Sequence, residues 1–292
     1  MENKNLEKAK YLYYKTGKAW ENRGKIFHLL FKALKEGESG AASMLACVYQ
    51  DMEIAQDDYE KASGYFALSQ NMEDPRGLYV WSQDIRNCHD SLFSLQLLKK
   101  SADLGYLDAI FEYGRQIFFS APYEGKDYIK KAADSGHVYA MYYLAKAYWY
   151  GYDALPKFDK AFIYMKKAYE HGSYQAIYPL AFMYDFGIGT RKNYKKALEL
   201  YEKVKDYEIS NAEGLIGRHY VFGLGVKKDV KKGIKPMLKA LDSYIDPEPE
   251  LMMALAKCYH MGIGVPVDHK KADECYRRAH ETIENKRGHR IY

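Results

Sequence analysis

Four residues close to the carboxyl end of the 292-residue chain carry side chains that can bind zinc: Cys258, His260, His269 and Cys275. Thiolate and imidazole groups are the usual ligands of a tetrahedral zinc site. Cys258 and His260, however, lie two positions apart on one predicted helix and therefore point in different directions. Because cysteines without a metal usually pack as small hydrophobic side chains, we expect neither a metal site here nor a cofactor elsewhere in the chain.

Three Gly-x-Gly doublets raise the question of a nucleotide site: Gly187/Gly189, Gly223/Gly225 and Gly262/Gly264. No predicted strand precedes them, and no third glycine completes a dinucleotide-binding fingerprint. The sequence also lacks a Gly-x4-Gly-Lys-Ser/Thr phosphate loop and a Gly-x-Ser-x-Gly nucleophile elbow. Their repetition in one context predicts instead that each doublet ends a helix, because glycine readily enters the left-handed region. We therefore expect no enzymatic activity.

Pairs of lysines recur at the predicted starts of the second helices: Lys195-Lys196, Lys231-Lys232 and Lys270-Lys271. Such a series could form a positive ridge that binds phosphate groups. It could equally be a solvated helix face that aids solubility. The formal net charge is only +5, from 44 basic and 39 acidic residues, so the balance favours the second interpretation and we expect no nucleic-acid partner.

The elements that position these residues repeat along the chain. Between residues 176 and 279 one pattern occurs three times, beginning at Ala176, Ala212 and Leu251. The distance between copies falls in the range of roughly 20–50 residues that is typical of stacked repeats. In each copy, apolar residues at helical spacing precede the glycine doublet, and a capping residue follows it: Asn193, Asp229 or Asp268. Each copy is therefore predicted to be a helix, a turn and a second helix, which must stack on its neighbours to bury both faces.

One aromatic position of the first helix recurs, and we predict that its tyrosines belong to the core: Tyr148, Tyr184, Tyr220 and Tyr259. The units before residue 140 depart from the pattern. A first helix is predicted over residues 5–20, residues 52–54 replace one doublet, and turns are predicted at 87–90 and 121–125. Two prolines after Asp242 are expected to stop a second helix.

The recurring string Ala-x3-Leu-Ala-x2-Tyr-x2-Gly-x-Gly-Val-x2-Asp-x3-Ala resembles the Sel-one-like repeat (SLR), a relative of the tetratricopeptide repeat. The resemblance implies an all-α fold, a right-handed α-solenoid of about seven or eight stacked helix-turn-helix pairs. It also implies a concave face, lined by the first helices, that holds proteins or peptides without catalysis. We expect one domain over 1–292, with a degenerate cap at 1–40, repeats at 41–279 and a tail at 280–292.

The side chains that the stack leaves free should decide the function. Next to the predicted core stripe of each first helix lies a second stripe at i, i+4, i+7, and in the middle of the chain it is rich in aromatic and cationic residues. We predict that it binds a protein or peptide segment of acidic and apolar character, since aromatic rings give contact area and arginine pairs with carboxylates. The alternative is that these rings are core. The predicted contact residues are Tyr79, Phe111, Arg115, Phe118, Tyr142, Lys146, Trp149, Tyr178, Phe182, Arg218 and Lys257.

Composition limits the location of the protein. No stretch of about 18 apolar residues exists, so no membrane segment is predicted, and the first ten residues lack the apolar core of a secretory signal. Four unevenly spaced cysteines favour reduced thiols and a cytoplasmic location. The favoured function is a non-enzymatic scaffold or adaptor for a protein partner. The alternative is a cytoplasmic antagonist of the partner, such as an immunity protein.

Overall fold

The computed structural model describes residues 3–51, 56–87, 91–151, 155–205, 211–241 and 248–288. In these ranges the chain forms α-helices, one short 3-10 turn and no strand. The all-α solenoid of helix pairs that the sequence predicts is therefore confirmed. The chain divides into two compact units, Met1–His137 and Val138–Tyr292, and the single domain over 1–292 stays a prediction.

In the described part of the chain, eight helix pairs follow one another. Unit 1 contains α1 (Lys4–Tyr14), α2 (Arg23–Lys35), α3 (Ser39–Asp51), α4 (Gln56–Asn71), α5 (Pro75–Asn87), α6 (Ser91–Asp103), α7 (Leu107–Ile117) and α8 (Pro122–Asp134). Unit 2 contains α9 (Val138–Tyr150), α10 (Phe158–Glu170), α11 (Ile177–Phe186), α12 (Tyr194–Glu202), α13 (Ala212–Phe222), α14 (Val230–Leu241), α15 (Pro249–Met261) and α16 (His269–Gly288). Within each unit the two helices of a pair pack together, and each pair packs on the next.

The first pair of unit 1 differs from its prediction. The side chain of Asn3 caps α1 by accepting hydrogen bonds from the backbone N–H groups of Asn5 and Leu6. The helix then ends at Tyr14 and not at residue 20, because the chain turns at Gly17, whose φ is +64°. Leu6 and Ala9 of α1 join a core with residues of α2 and α3, which ties the first helices of the chain to the next pair.

The pair α7–α8 closes over a shorter connection than the sequence suggested. The turn predicted at 121–125 is instead the start of α8, which has Pro122 at its beginning. Proline suits the first turn of a helix, where its missing N–H would be unpaired anyway. Two helical glycines allow the close packing: a Cβ on Gly114 would lie 2.8 Å from the carbonyl oxygen of Gly125.

Unit 2 shows the regular connection that the glycine doublets predict. Gly187 follows the last residue of α11 with φ +74°, and its N–H bonds to the carbonyl of Met183, which ends the helix in a left-handed cap. Asn193 then caps α12, since its side chain accepts a hydrogen bond of 3.0 Å from the N–H of Lys196. Asp229 and Asp268 cap α14 and α16 in the same way, so the predicted capping roles are confirmed.

The second glycine of a doublet has a role that the sequence did not reveal. A Cβ on Gly189 would lie 1.9 Å from the carbonyl oxygen of Phe158, at the start of α10 in the preceding pair. Real Cβ atoms do not approach backbone so closely, so glycine is required for contact between consecutive pairs. Gly225 similarly lies against the backbone of Tyr194 at the start of α12.

A tyrosine–lysine contact recurs inside the helix pairs. The lysine ammonium of the second helix lies over the ring of the recurrent first-helix tyrosine, at distances of 3.7 to 5.6 Å from the ring centroid. The five contacts are Lys61 on Tyr49, Lys160 on Tyr148, Lys196 on Tyr184, Lys232 on Tyr220 and Lys271 on Tyr259. Tyr148 and Tyr184 are buried, whereas Tyr220 and Tyr259 are half-buried. One lysine of each basic pair therefore covers a ring, which is an attractive cation–π geometry.

The last helix is longer than predicted. Residues after Ala279 were expected to form a tail, but α16 continues to Gly288. Arg277 explains part of this extension, since its guanidinium bonds to Glu274 and Glu281 on the same helix face. Pairs at i, i+3 and i, i+4 stabilise an exposed helix by about 0.2–0.5 kcal/mol each.

Candidate partner-binding surface

A line of aromatic and cationic side chains runs across the first helices of unit 2. We call it the aromatic–cation row and define it as Trp149, Phe182, Phe186, Arg218, Phe222 and Lys257. Lys257 is exposed and the other five side chains are half-buried, so all are accessible along one edge. The row takes one or two residues from each of α9, α11, α13 and α15. Four of the predicted contact residues therefore come together here.

The aromatic half of the row is continuous. The ring centroids of Trp149 and Phe182 are 6.3 Å apart, and those of Phe182 and Phe186 are 4.5 Å apart. Phe158 supports Trp149 from α10 in an edge-to-face contact at 6.0 Å. These distances fall in the range of favourable aromatic pairs. The rings are therefore held rigidly, which lowers the entropy that a ligand would have to remove on binding.

Arg218 joins the aromatic half to the charged half. Its guanidinium carbon lies 4.8 Å from the centroid of the Phe186 ring. One terminal nitrogen, Nη1, donates hydrogen bonds of 3.0 and 2.9 Å to the two carboxylate oxygens of Asp185. Among the described residues, none accepts a hydrogen bond from Nε or Nη2 of Arg218. The guanidinium is thus fixed in place while part of its donor fork is still available for a carboxylate.

Lysines repeat this arrangement on the neighbouring helices. The ammonium of Lys257 lies 5.5 Å from the ring centroid of Phe222, one pair further along than Arg218 and Phe186. Beside the row, Lys146 lies over Tyr142 at 5.8 Å on α9. Cations placed against ring faces keep their charge at the surface, so this side of unit 2 combines apolar area with positive charge.

A buried polar cluster supports the row from behind. Asp185 has no exposed surface, and the hydroxyl of Tyr201 donates to its Oδ2 over 3.5 Å. His219, also fully buried, has Nε2 3.2 Å from Oδ2 of Asp185, and its Nδ1 lies 2.7 Å from the carbonyl oxygen of Leu224. A buried carboxylate is tolerated only with such partners. The cluster therefore fixes Arg218.

Tyr178 belongs to this interior and not to the row. Its ring lies 5.8 Å from that of Tyr201, and its hydroxyl is fully buried. Burial, followed by the nearby carboxylates of Glu248 and Glu250, raises the pKa of Tyr178 well above its ordinary value. The phenol therefore stays neutral at physiological pH and acts as a packing residue with a polar end.

The predicted contact residues of unit 1 have other surroundings. Phe111 and Phe118 are 6% and 2% exposed, so they pack in the interior and offer no contact area. Tyr79 is half-buried against Tyr106, with ring centroids 5.3 Å apart. Arg115 forms an ion pair with Glu112 on its own helix, at 2.6 Å. In unit 1 the four predicted residues therefore divide between the interior and contacts with nearby residues.

The predicted stripe needs one correction in its spacing. Its third position is buried in α11 and α13, where it is occupied by Asp185 and Val221. There the next residue along is the accessible one, Phe186 or Phe222, so the stripe follows i, i+4, i+8 because the third position turns toward the next pair. In α9 and α15 the third position, Trp149 or His260, is itself accessible. Sequence reasoning missed Phe186 and Phe222, although a large apolar residue directly before each doublet was a usable signal.

The candidate zinc ligands do not form a site. Nδ1 of His260 and Nδ1 of His269 lie 3.2 Å apart on the surface, but Cys258 and Cys275 are buried. Burial raises the pKa of the Cys258 thiol to about 11, so it stays protonated near pH 7. Within the described ranges, no three His, Cys, Asp or Glu side chains are placed to hold a metal ion. In the same part of the chain, no helix is long and apolar enough to cross a bilayer.

The fold and this surface define a helical-repeat protein with an accessible aromatic and cationic face. The sequence model of the Sel1 repeat matches residues 2–19, 89–106, 138–173, 175–203, 210–242 and 249–279, together more than half of the chain. The chain belongs to the Sel1 repeat family. The repeats indicate a scaffold for protein–protein interaction, and the resemblance seen in the sequence is confirmed.

Solved structures support the same fold. A protective antigen of uropathogenic Escherichia coli with an SLR fold is 20% identical, with a TM-score of 0.64 over 88% of this chain and 56% of that one. This chain thus spans little more than half of that protein. A Sel1 repeat protein from Oxalobacter formigenes is 17% identical, with a TM-score of 0.56 over 82% of this chain and 96% of that one.

A further similar structure is an immunity protein from Pseudomonas aeruginosa, which is 22% identical over 70% of this chain and 82% of that one. Its TM-score of 0.48 is too low to support a conclusion about this protein. No curated protein matches the chain. The comparisons therefore establish the family and the fold.

Proposed function

We propose that this protein is a non-enzymatic adaptor that holds an acidic and apolar segment of a protein partner along the aromatic–cation row. The observation that carries the proposal is the fixed Arg218, which is held by Asp185, lies on the ring of Phe186 and has donors to spare. Aromatic and arginine side chains in well-packed positions are the residues that dominate binding energy at protein interfaces.

The chemistry of the row selects the partner. Trp149, Phe182 and Phe186 supply apolar area at one end, and Arg218 and Lys257 supply positive charge at the other. An arginine fork pairs best with a carboxylate, while rings held by their neighbours lose little entropy when they are covered. A segment with large apolar residues followed by Asp or Glu is complementary to this order.

Cellular location is part of the proposal. The three cysteines in the described ranges, Cys47, Cys258 and Cys275, are free thiols, which fits a reducing compartment. We therefore place the adaptor in the cytoplasm. Antagonism of one partner protein is the alternative function predicted from the sequence, and it would use the same surface. A toxin gene beside the gene for this chain would favour antagonism over an adaptor role.

A peptide selection tests the proposal with a defined probe. A random peptide library displayed on phage is selected on the wild-type chain and on two double variants. Trp149→Ala with Lys257→Glu removes one anchor from each end of the row. Tyr276→Ala with Lys270→Glu makes the same kind of change on α16, where both residues are exposed and lie outside the row.

Peptides selected on the wild type should combine aromatic or aliphatic residues with Asp or Glu. The control variant should select the same motif, and the row variant should not. Circular dichroism spectra and melting curves must show that both variants are folded. If the row variant selects the same motif, or if no motif emerges from the wild type, the proposed function is wrong.

A further inference from the structure

The pair α13–α14 differs from other pairs at one aligned position. Each recurrent first-helix tyrosine has a counterpart on the second helix, and these counterparts are Tyr65, Tyr164, Leu200, Pro236 and Cys275. The ring of Tyr65 stacks on Tyr49 with centroids 5.6 Å apart, and that of Tyr164 stacks on Tyr148 at 5.9 Å. A tyrosine thus fills this space in two pairs, whereas Pro236 stands there beside Tyr220.

A cavity of about 500 Å³ opens where the proline stands. Its apolar walls are Ile216, Gly217, Tyr220 and Pro236 of α13 and α14. Small-molecule sites in proteins commonly have volumes of roughly 300–1,000 Å³ and apolar walls with a few polar groups. The cavity therefore has the volume of a small-molecule site, and Pro236 lies in its wall at the aligned position.

Lysines surround the cavity. Lys232, Lys235 and Lys239 of α14 and Lys205 after α12 line it, together with Glu202 and Glu213. Helical spacing at i, i+3, i+7 places the three lysines of α14 on one face. The ammonium of Lys239 pairs with Glu213 at 3.2 Å, and that of Lys205 pairs with Glu202 at 3.0 Å. Each carboxylate thus has a lysine partner of its own.

Two lysines remain to give the cavity positive charge. Lys232 lies 3.7 Å from the ring centroid of Tyr220, and within the described ranges no carboxylate pairs with Lys232 or Lys235. Lys235 also distinguishes this pair, because the aligned second-helix residues are Gly64, Ile163, Glu199 and Glu274. The positive charge of Lys235 therefore lies beside the cavity. The two pairs in which a tyrosine fills the space have no charge at the aligned position.

We propose that this cavity binds a small organic dianion, a molecule whose two negative charges lie close together, on one phosphate or on two neighbouring carboxylates, beside an apolar body. The ammonium groups of Lys232 and Lys235 would pair with the anionic groups, since lysines bind such groups as point charges. The apolar body would lie against Ile216, Pro236 and the ring of Tyr220. Exposed lysines alone would give only weak, salt-sensitive attraction, so the apolar contact is needed for selectivity.

This site is separate from the aromatic–cation row. Ile216 and Tyr220 each lie two positions from Arg218 on α13, which places them about 160° around the helix from it. Arg218 contacts Asp185 and Phe186, whereas the cavity residues of α13 face α12 and α14. The two sites can therefore be disabled independently.

Isothermal titration calorimetry with phenyl phosphate and with phthalate tests the inference, and phenol serves as the uncharged probe. Phenyl phosphate represents phosphate esters and phthalate represents dicarboxylates, so the tighter binder identifies the source of the dianion. We expect saturable binding of at least one dianion with a dissociation constant below about 1 mM, and none of phenol.

Three variants decide whether the binding is in the cavity. Pro236→Tyr introduces the residue that fills the space in α3–α4 and α9–α10, and Lys235→Glu introduces the charge found at residues 199 and 274; each should weaken binding at least tenfold. Lys270→Glu makes the same charge change on α16 and should leave binding unchanged. Because Lys235 is exposed, its substitution keeps the inference testable even if Pro236→Tyr does not fold. Absence of saturable binding by both dianions, or equal loss in Lys235→Glu and Lys270→Glu, would overturn the inference.

Discussion

The helix pairs α7–α8 and α11–α12 are closed in two different ways. In α7–α8 the connection is short, and Gly114 and Gly125 let the helices touch each other within the pair. In α11–α12 the connection is longer, Gly187 ends the first helix, and Gly189 lies against the start of α10 in the preceding pair. Glycine therefore serves contact inside the pair in α7–α8 and contact with the preceding pair in α11–α12.

This difference explains where the regular surface lies. The Sel1 repeat model matches unit 2 almost throughout but matches only two short segments of unit 1. Regular turns place successive first helices in equivalent positions, so Arg218 covers Phe186 and Lys257 covers Phe222 in the same way. A row of equivalent contacts needs such repetition, which the connection of α7–α8 does not provide.

The largest effect is expected for Gly189→Ala. The new Cβ would lie 1.9 Å from the carbonyl oxygen of Phe158, and φ of +67° already disfavours alanine. We expect a loss of about 2–5 kcal/mol in the free energy of unfolding, the sum of left-handed strain and overpacking. Urea denaturation measures it.

Gly172→Ala is the matched control, because φ of Gly172 is +90° and an alanine Cβ there would have no atom within 4 Å. It should lose only about 1–2 kcal/mol from backbone strain. Equal losses in the two variants would show that Gly189 does not serve contact between pairs.

Gly114→Ala tests contact inside the pair α7–α8. Here φ is not left-handed, so the whole cost comes from the Cβ, which would lie 2.8 Å from the carbonyl oxygen of Gly125. We expect a loss of about 1–3 kcal/mol in urea denaturation. Gly64→Ala, in α4 with nothing within 4 Å, should instead stabilise the protein by up to about 1 kcal/mol, since alanine favours helix. Two changes of the same sign would contradict the role assigned to Gly114.

Helix capping gives a smaller effect. Asn193→Ala removes the hydrogen bond to the N–H of Lys196 and should cost about 0.5–2 kcal/mol. Lys157 stands at the equivalent position before α10 and provides no side-chain cap. Lys157→Asn should therefore stabilise the pair α9–α10 by up to about 1 kcal/mol. If the thermal unfolding midpoint of Lys157→Asn does not rise, the missing side-chain cap does not limit the stability of the pair α9–α10.

The smallest effect is a pH dependence located in unit 1. His137 stacks on Phe111 with ring centroids 4.8 Å apart, and burial lowers its pKa although Asp108 partly opposes the shift. The unfolded chain therefore binds this proton more tightly than the folded chain does. The contribution of neutral His137 to stability is complete above the ordinary histidine pKa and falls as the pH drops below it. The urea midpoint of wild type should decrease from pH 7.5 to pH 5.0, and His137→Gln should reduce that decrease. An unchanged decrease would mean that other groups cause it.

The sequence predicted the parts of this structure that repeat. Doublets such as Gly187/Gly189 and caps such as Asn193 recur in one context, so the sequence alone predicts their local roles. Gly125 has no such context: the sequence predicts a turn there, whereas the residue lies in α8. The helical phase of α11 predicts that Asp185 lies on the accessible stripe. The structure buries Asp185 because the next helix pair packs there, and one sequence does not show that packing. The cavity beside Tyr220 also depends on packing, since Pro236 matters only for the space that it leaves.

The central claim is that the aromatic–cation row binds the partner. Fluorescence anisotropy of one labelled peptide from the selection tests it most directly, with the wild type and the two double variants described above. The affinity of the variant Trp149→Ala/Lys257→Glu for the peptide should be about 30-fold lower or more, since the loss of even one interface anchor costs about 2 kcal/mol or more. Tyr276→Ala/Lys270→Glu should bind like the wild type. Equal affinity of the row variant and the wild type would contradict the account.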